Sequence, residues 1–220
     1  MKKLIIAILA MSLGSFSIAS AEVGVNIGVS GQMGVFAANG LENEDTQQHR
    51  SATTTLVGYS SVFLEKTLGS RLSIGIDYVP SALESETASR TDVDNGAAVT
   101  QKVQADFEDL TTIYATLNIT DNFFVKGGMV TVDVITKESL GTGSTYPNTT
   151  LDGTMFGAGY NYDFDNGMFI RAEGNVMMMD GVTLTSTAAA VARPGTAQKN
   201  FVKLDNLNGA NAKVSIGKSF

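Results

Sequence analysis

Apolar and polar residues alternate one by one along most of this chain, which is the period of a strand with one buried face. The 3.6-residue period of an amphipathic helix is almost absent. From Val23 the odd positions read Val23, Val25, Ile27, Val29, Gly31, Met33, Val35, Ala37, against Gly24, Asn26, Gly28, Ser30, Gln32 and Gly34. The same comb returns at Leu72–Tyr78, at Val103–Phe107 continuing through Ile113–Ile119, at Phe156–Phe164, at Met168–Met178 and at Ala210–Ile216. In Thr54–Lys66 the apolar face is Leu56, Gly58, Ser60, Val62 and Leu64, with Tyr59 and Phe63 as exceptions. In Phe123–Thr136 the phase flips near Gly127-Gly128, from Phe123 and Val125 to Val130, Val132 and Val134. A bulge at the glycine pair is the simplest account of that flip.

This pattern predicts eight strands, and the gaps between them alternate in length. Asn39–Ala52, Ser81–Gln101, Lys137–Thr150 and Gly181–Asn200 read as long polar loops. Thr67–Ser70, Asp121-Asn122 and Asp165-Asn166-Gly167 read as tight turns. Long loops at one end and short turns at the other are what a transmembrane barrel shows. Phe63, Phe123, Phe164, Phe169 and Phe220 fall beside the short turns, and Tyr78 and Phe107 at the opposite ends, as two interfacial belts would.

Alternation alone does not say which face looks inward, since a soluble barrel carries the same comb reversed. Here the apolar comb is nearly free of charge in mid-strand. The polar comb mixes glycine with Asp106, Glu108, Lys126, Arg171 and Glu173, a mixture of bulk and smallness suited to a narrow lumen. The expected fold is therefore all-β, a closed antiparallel up-and-down transmembrane barrel with its apolar comb towards lipid.

The start of the chain reads differently. Lys2 and Lys3 precede an apolar stretch from Leu4 to Leu13, and Ala19-Ser20-Ala21 offers a small-x-small cleavage site at Ala19 and Ala21. About ten apolar residues are too few to cross a ~30 Å hydrocarbon layer as a helix. Residues 1–21 are expected to be a signal peptide and residues 22–220 one barrel domain. Setting aside Lys2 and Lys3, 13 of the 15 basic residues face 22 acidic ones, a balance that argues against nucleic acid as a partner. The chain has no cysteine, so neither disulfides nor thiolate-held metals stabilise it.

With eight combed strands, asymmetric loops and the ending Asn211-Ala212-Lys213-Val214-Ser215-Ile216-Gly217-Lys218-Ser219-Phe220, the chain resembles the small outer-membrane β-barrels. That group includes opacity proteins, OmpX-like proteins and the OmpA transmembrane domain. The resemblance implies a Gram-negative cell outer membrane, with termini in the periplasm and loops extracellular. It implies surrounding lipid and lipopolysaccharide as partners, and a monomer. It also implies that the barrel-assembly machinery reads Val214, Ile216 and Phe220, with Lys218 a departure from the usual pattern.

Candidate chemistry is sparse. The only histidine, His49, lies near Glu42, Glu44, Asp45, Arg50 and Ser51, but in an expected loop too loose to hold a catalytic geometry. Asp92-Val93-Asp94-Asn95-Gly96 lacks the later carboxylates of a calcium loop. Gly141-Thr142-Gly143-Ser144 has no following helix to complete a phosphate cradle. No enzyme, cofactor or metal is expected. The polar comb instead predicts a lumenal charge network of Glu65, Asp77, Asp106, Glu108, Lys126, Arg171, Glu173 and Lys213, centred on Lys126 and Arg171 with Glu65 and Glu173. Its roles as a structural plug and as a gate both remain open. A gate with acid in excess would prefer cations. The leading functional expectation is a structural and surface-interaction protein acting through four loops. The alternative is a narrow or gated pore for small solutes, and a lipid-modifying enzyme comes third.

Overall fold

The computed structural model describes residues 24–44, 47–94, 97–139, 145–187 and 201–220. The expected signal peptide, with Ala19 and Ala21, lies outside them, as do Asp45, Asn95-Gly96 and Gly141–Ser144. Every regular element among the described residues is a strand. β1 (Val25–Glu44), β2 (Gln47–Leu68), β3 (Leu72–Tyr78), β6 (Ala97–Asn118), β7 (Phe123–Ser139), β8 (Thr149–Asp163), β9 (Met168–Met179) and β11 (Phe201–Ser219) pair in that order. β11 pairs back onto β1 to close the ring. Three short strands, β4 (Leu83–Glu84), β5 (Ala88–Asp94) and β10 (Val182–Thr185), attach to β6 and β11.

Every neighbour in the ring is antiparallel. The seam is bonded to its lower end, where Val25 and Phe220 exchange backbone hydrogen bonds of 3.0 and 2.9 Å, and it shifts register once, between Ala37 and Asn39. Followed across the strands, the path Ile27–Leu64–Ile76–Ile113–Met129–Thr154–Met178–Asn208 returns to β1 at Ala37, ten residues beyond its start. That stagger belongs to strands tilted by about 40° in a small barrel. Gly69 and Gly167 take φ of 75° and 79° in the tight turns, a region L side chains avoid.

The orientation matches the sequence expectation over the lower part of the barrel, next to the short turns. Val25, Ile27, Val29, Met33, Val35, Leu117, Ile113, Val125, Met129, Ile170, Val176, Val214 and Ile216 are exposed on the outside. Ser30, Gln32, Ser61, Glu65, Lys126, Arg171 and Lys213 are buried inside. On β1 the apolar run from Val25 to Val35, at ~3.3 Å per residue and ~40° tilt, covers about 25 Å of height. That is the height of a hydrocarbon belt.

Above the belt the two faces exchange polarity. On β7 Lys126 points in and Met129 out, 71 % exposed; then Val130, Val132 and Val134 point in, at 1, 4 and 6 %. Pairing runs without a break through Gly127-Gly128 to both β6 and β8, so the expected bulge at the glycine pair is absent. The phase flip marks a change of medium. Below it the outer face meets lipid and above it water, so apolar side chains swap faces while the register holds.

A bulge does exist, on β6, between the pairs Glu108–Asp133 and Thr111–Thr131. There Asp109 adopts φ 54° and accepts a 2.6 Å hydrogen bond from Tyr78 Oη. The extra residue shifts the β6 comb by one position where the medium changes. The two shifts cancel, so β6 looks uninterrupted in sequence although its inner and outer faces have exchanged. Phe107 opposes Val134 and packs on the interior cluster, which turns Phe107 and Ala105 inward rather than outward.

Two further expectations are corrected. The gaps at Asn39–Ala52 and Ser81–Gln101 are largely strand: β1 and β2 continue to Glu44 and Gln47, and β5 pairs β6 up to Asp94 and Ala97. Their Thr, Ser and Val residues suit a pleated surface as well as a loop. The aromatic belt is also thinner than expected, because Phe63, Phe169 and Phe107 face inward. Phe63, Phe124 and Phe169 each lie over a glycine of a neighbouring strand (Gly28, Gly159 and Gly217), where an added Cβ would overlap the ring. Gly159→Ala should therefore cost about 1–3 kcal/mol through overpacking. Gly174→Ala, with open space at that point, should leave the urea midpoint in lipid vesicles unchanged.

Candidate functional site

Within the belt, alternate positions of facing strands send charges into one narrow bore. Arg171 on β9 holds Glu65 on β2 with both guanidinium ends, Nη1–Oε1 at 2.5 Å and Nη2–Oε2 at 2.9 Å. Glu65 also accepts from Tyr114 Oη at 2.9 Å and Asn26 Nδ2 at 3.2 Å. Glu173 receives Lys126 Nζ at 3.0 Å and lies 3.8 Å from Arg171 Nη1. Lys213 pairs with Asp77, which also accepts from Ser61 at 3.1 Å. All six charged groups are buried, so each would be expensive without its partners.

Rings complete the cation sites. Lys126 Nζ stands 3.6 Å from the centroid of Tyr114. The Arg171 guanidinium sits 5.1 Å from Phe124 and from Phe169, and 5.6 Å from Phe63. These faces are negative in quadrupole and stabilise a cation that water cannot reach. An amide layer covers the charges on the long-hairpin side. Asn175 donates to Asn211 at 2.9 Å, and Asn211 donates to Gln32 and Tyr59 at 2.8 and 2.9 Å. Tyr59 belongs to both layers, since its ring packs into the apolar cluster of Val79, Leu110, Val130, Val132, Leu151, Met155 and Met177. The bore is thus filled twice, by paired charge within the belt and by apolar side chains above it.

Of the eight residues expected in the network, the structure brings six together: Glu65, Asp77, Lys126, Arg171, Glu173 and Lys213. Asp106 and Glu108 are not among them. They flank the inward Phe107 beyond the β6 bulge and so occupy the outer face, where Asp106 pairs with the exposed Lys137 and accepts from Gln104 at 3.0 Å. Three cations then match three carboxylates, and the expected excess of acid disappears. Tyr114 and Phe124 were not singled out in sequence, and Phe63 and Phe169 were expected in the outer belt. Their signal was the facing glycines Gly28, Gly75, Gly159 and Gly217, whose missing side chains make room for rings.

The other candidates gain no site. The backbone of His49 lies on β2 opposite Glu42, and Asp92 and Asp94 belong to β5. Among the described residues no cluster of three metal-ligating side chains occurs. Val214, Ile216 and Phe220 project outward, with Lys218 Nζ 5.3 Å from the Phe220 ring.

Removing one partner leaves the others buried and uncompensated. Arg171→Met should cost about 3–5 kcal/mol of folding stability. The double variant Glu65→Gln with Arg171→Met should recover part of that loss. Urea titration of unboiled band mobility would read both.

No protein-family model matches the chain, and no curated protein sequence matches it. Solved structures do. AlkL in lipid bilayers is 10 % identical over 92 % of this chain and 92 % of its own, with a TM-score of 0.52. OprG from Pseudomonas aeruginosa is 12 % identical over 88 % and 96 %, at 0.44. Ail of Yersinia pestis, solved with a heparin analogue, is 11 % identical over 88 % and 99 %, at 0.37. Closed ring, outward apolar belt and the likeness to AlkL agree: the chain has the fold of the small outer-membrane β-barrels.

Proposed function

We propose that the protein is a structural and surface-interaction component of the outer membrane, a rigid barrel that carries strand hairpins beyond the lipid. The observation that carries this reading is the doubly filled bore. Six buried charges close it within the belt, and the valine- and methionine-rich cluster closes it above. An open channel needs a continuous polar path, and the apolar layer interrupts one.

Hairpins β1–β2 and β5–β6 extend past the belt and supply the display surface. In this reading the short turns and both termini are periplasmic, the hairpins are extracellular, and lipopolysaccharide surrounds their base. The protein is a monomer, inserted through recognition of Val214, Ile216 and Phe220 by the barrel-assembly machinery, and it catalyses no reaction. Planar-bilayer recording tests the central point. Folded protein should give no unitary openings, and neither should Lys126→Ala, because the apolar layer remains. Steady openings that change with Lys126→Ala would replace this reading with the gated pore.

A further inference from the structure

The wall of the barrel is not paired all the way up. β2 pairs β3 from Leu68–Leu72 to Val62–Tyr78, and above Val62 no strand pairs with that edge of β2 among the described residues. The chain after Tyr78 follows β6 instead, through the bond from Val79 N to Leu110 O, the pairs of Leu83 and Glu84, and then β5. The two lips diverge from Ser61 and Val79. This point is still within the apolar belt, since Met33 and Val35 pair with Gly58 and Leu56 beside the cleft and are exposed together with Leu56.

The lining of the cleft is unlike the rest of the bore. Val57 on one lip and Leu83 on the other pack on the interior cluster yet are only half-buried, as is Phe107 behind them. On the outer face β2 presents only Gly58 and Ser60 there, so little side-chain bulk guards the entrance. Below, the amide layer and the ion pairs block any route down the bore. A bare strand edge in hydrocarbon is costly unless polar groups cover it. An amphiphile lying along the edge supplies both needs, a head group near the backbone and a chain for the apolar side chains.

We propose that this cleft is a binding site for an acyl chain of the surrounding lipid, entering between β2 and the Val79–Leu83 segment to lie against the half-buried Val57, Leu83 and Phe107, over the buried Tyr59, Val79 and Leu110. The adjoining medium determines the occupant: an apolar opening flanked by Leu56 and Val35 faces lipid chains rather than water. Methionines Met155, Met177 and Met179, deeper in the cluster, can adapt to an inserted chain.

The chain contains no tryptophan, so single tryptophans report without background. Tyr59→Trp would be compared in bilayers of an unsaturated phosphatidylcholine and of its chain-brominated form, with Phe124→Trp as an equally inward control far from the cleft. Ile113→Trp on the outer face gives full contact. An unboiled gel shift establishes that each variant is folded, and Leu110→Trp serves as a second reporter should Tyr59→Trp not fold. The expected result is loss of Tyr59→Trp emission approaching that of Ile113→Trp and several times that of Phe124→Trp. Quenching no greater than in Phe124→Trp would overturn the site. Quenching only by added brominated fatty acid, and not by brominated phospholipid, would overturn the lipid as its source.

Discussion

A backbone amide in hydrocarbon has no water to bond, and that constraint governs the whole molecule. Each unsatisfied N–H or C=O costs several kcal/mol, so a sheet in lipid must end on itself. Closure of β1 on β11 through the Val25–Phe220 bonds meets this requirement at the seam. The stagger of ten residues that closure imposes then fixes which side chains share a level. Glu65 meets Arg171, and Lys126 meets Glu173, because the closed register leaves them nowhere else to point.

A bore enclosed by eight strands is just wide enough for its own side chains. Within the belt, polar residues point inward because the outside is lipid, and burial then forces charges to pair. Above the belt the solvent condition reverses and the interior becomes an ordinary apolar core. The protein is thus a membrane barrel carrying a short water-exposed barrel on the same strands, with the boundary at Met129 to Val130 on β7 and at the Asp109 bulge on β6. Wall and bore both change character near this level, and β2 and β3 part just below it, on the belt side of the Asp109 bulge.

Most of this was legible from period and spacing. Strand number, outward faces and the core of the ion network follow from the comb, because a two-residue period fixes face and face fixes medium. Where the medium changes along a strand, the comb becomes ambiguous. Val125 to Val130 looked like a bulge because one inserted residue and one change of solvent leave the same trace in sequence. In β6 both occur together and erase each other, which is why Asp106 and Glu108 were expected in the lumen. The rings around Arg171 were hidden for another reason: Phe63 and Phe169 sit at strand ends, where an aromatic suits an interface and an interior equally well.

The exchange of faces along an unbroken β7 is open to direct measurement. Because the chain lacks cysteine, spin labels can be placed singly at positions 123 to 135 of β7 and their access to oxygen and to a water-soluble nickel chelate read in bilayers. The account predicts lipid-type access at 123, 125, 127 and 129, water-type access at 131, 133 and 135, and shielding from both at 130, 132 and 134. Lipid-type access at 130, 132 and 134 would place a bulge at Gly127-Gly128 and contradict it.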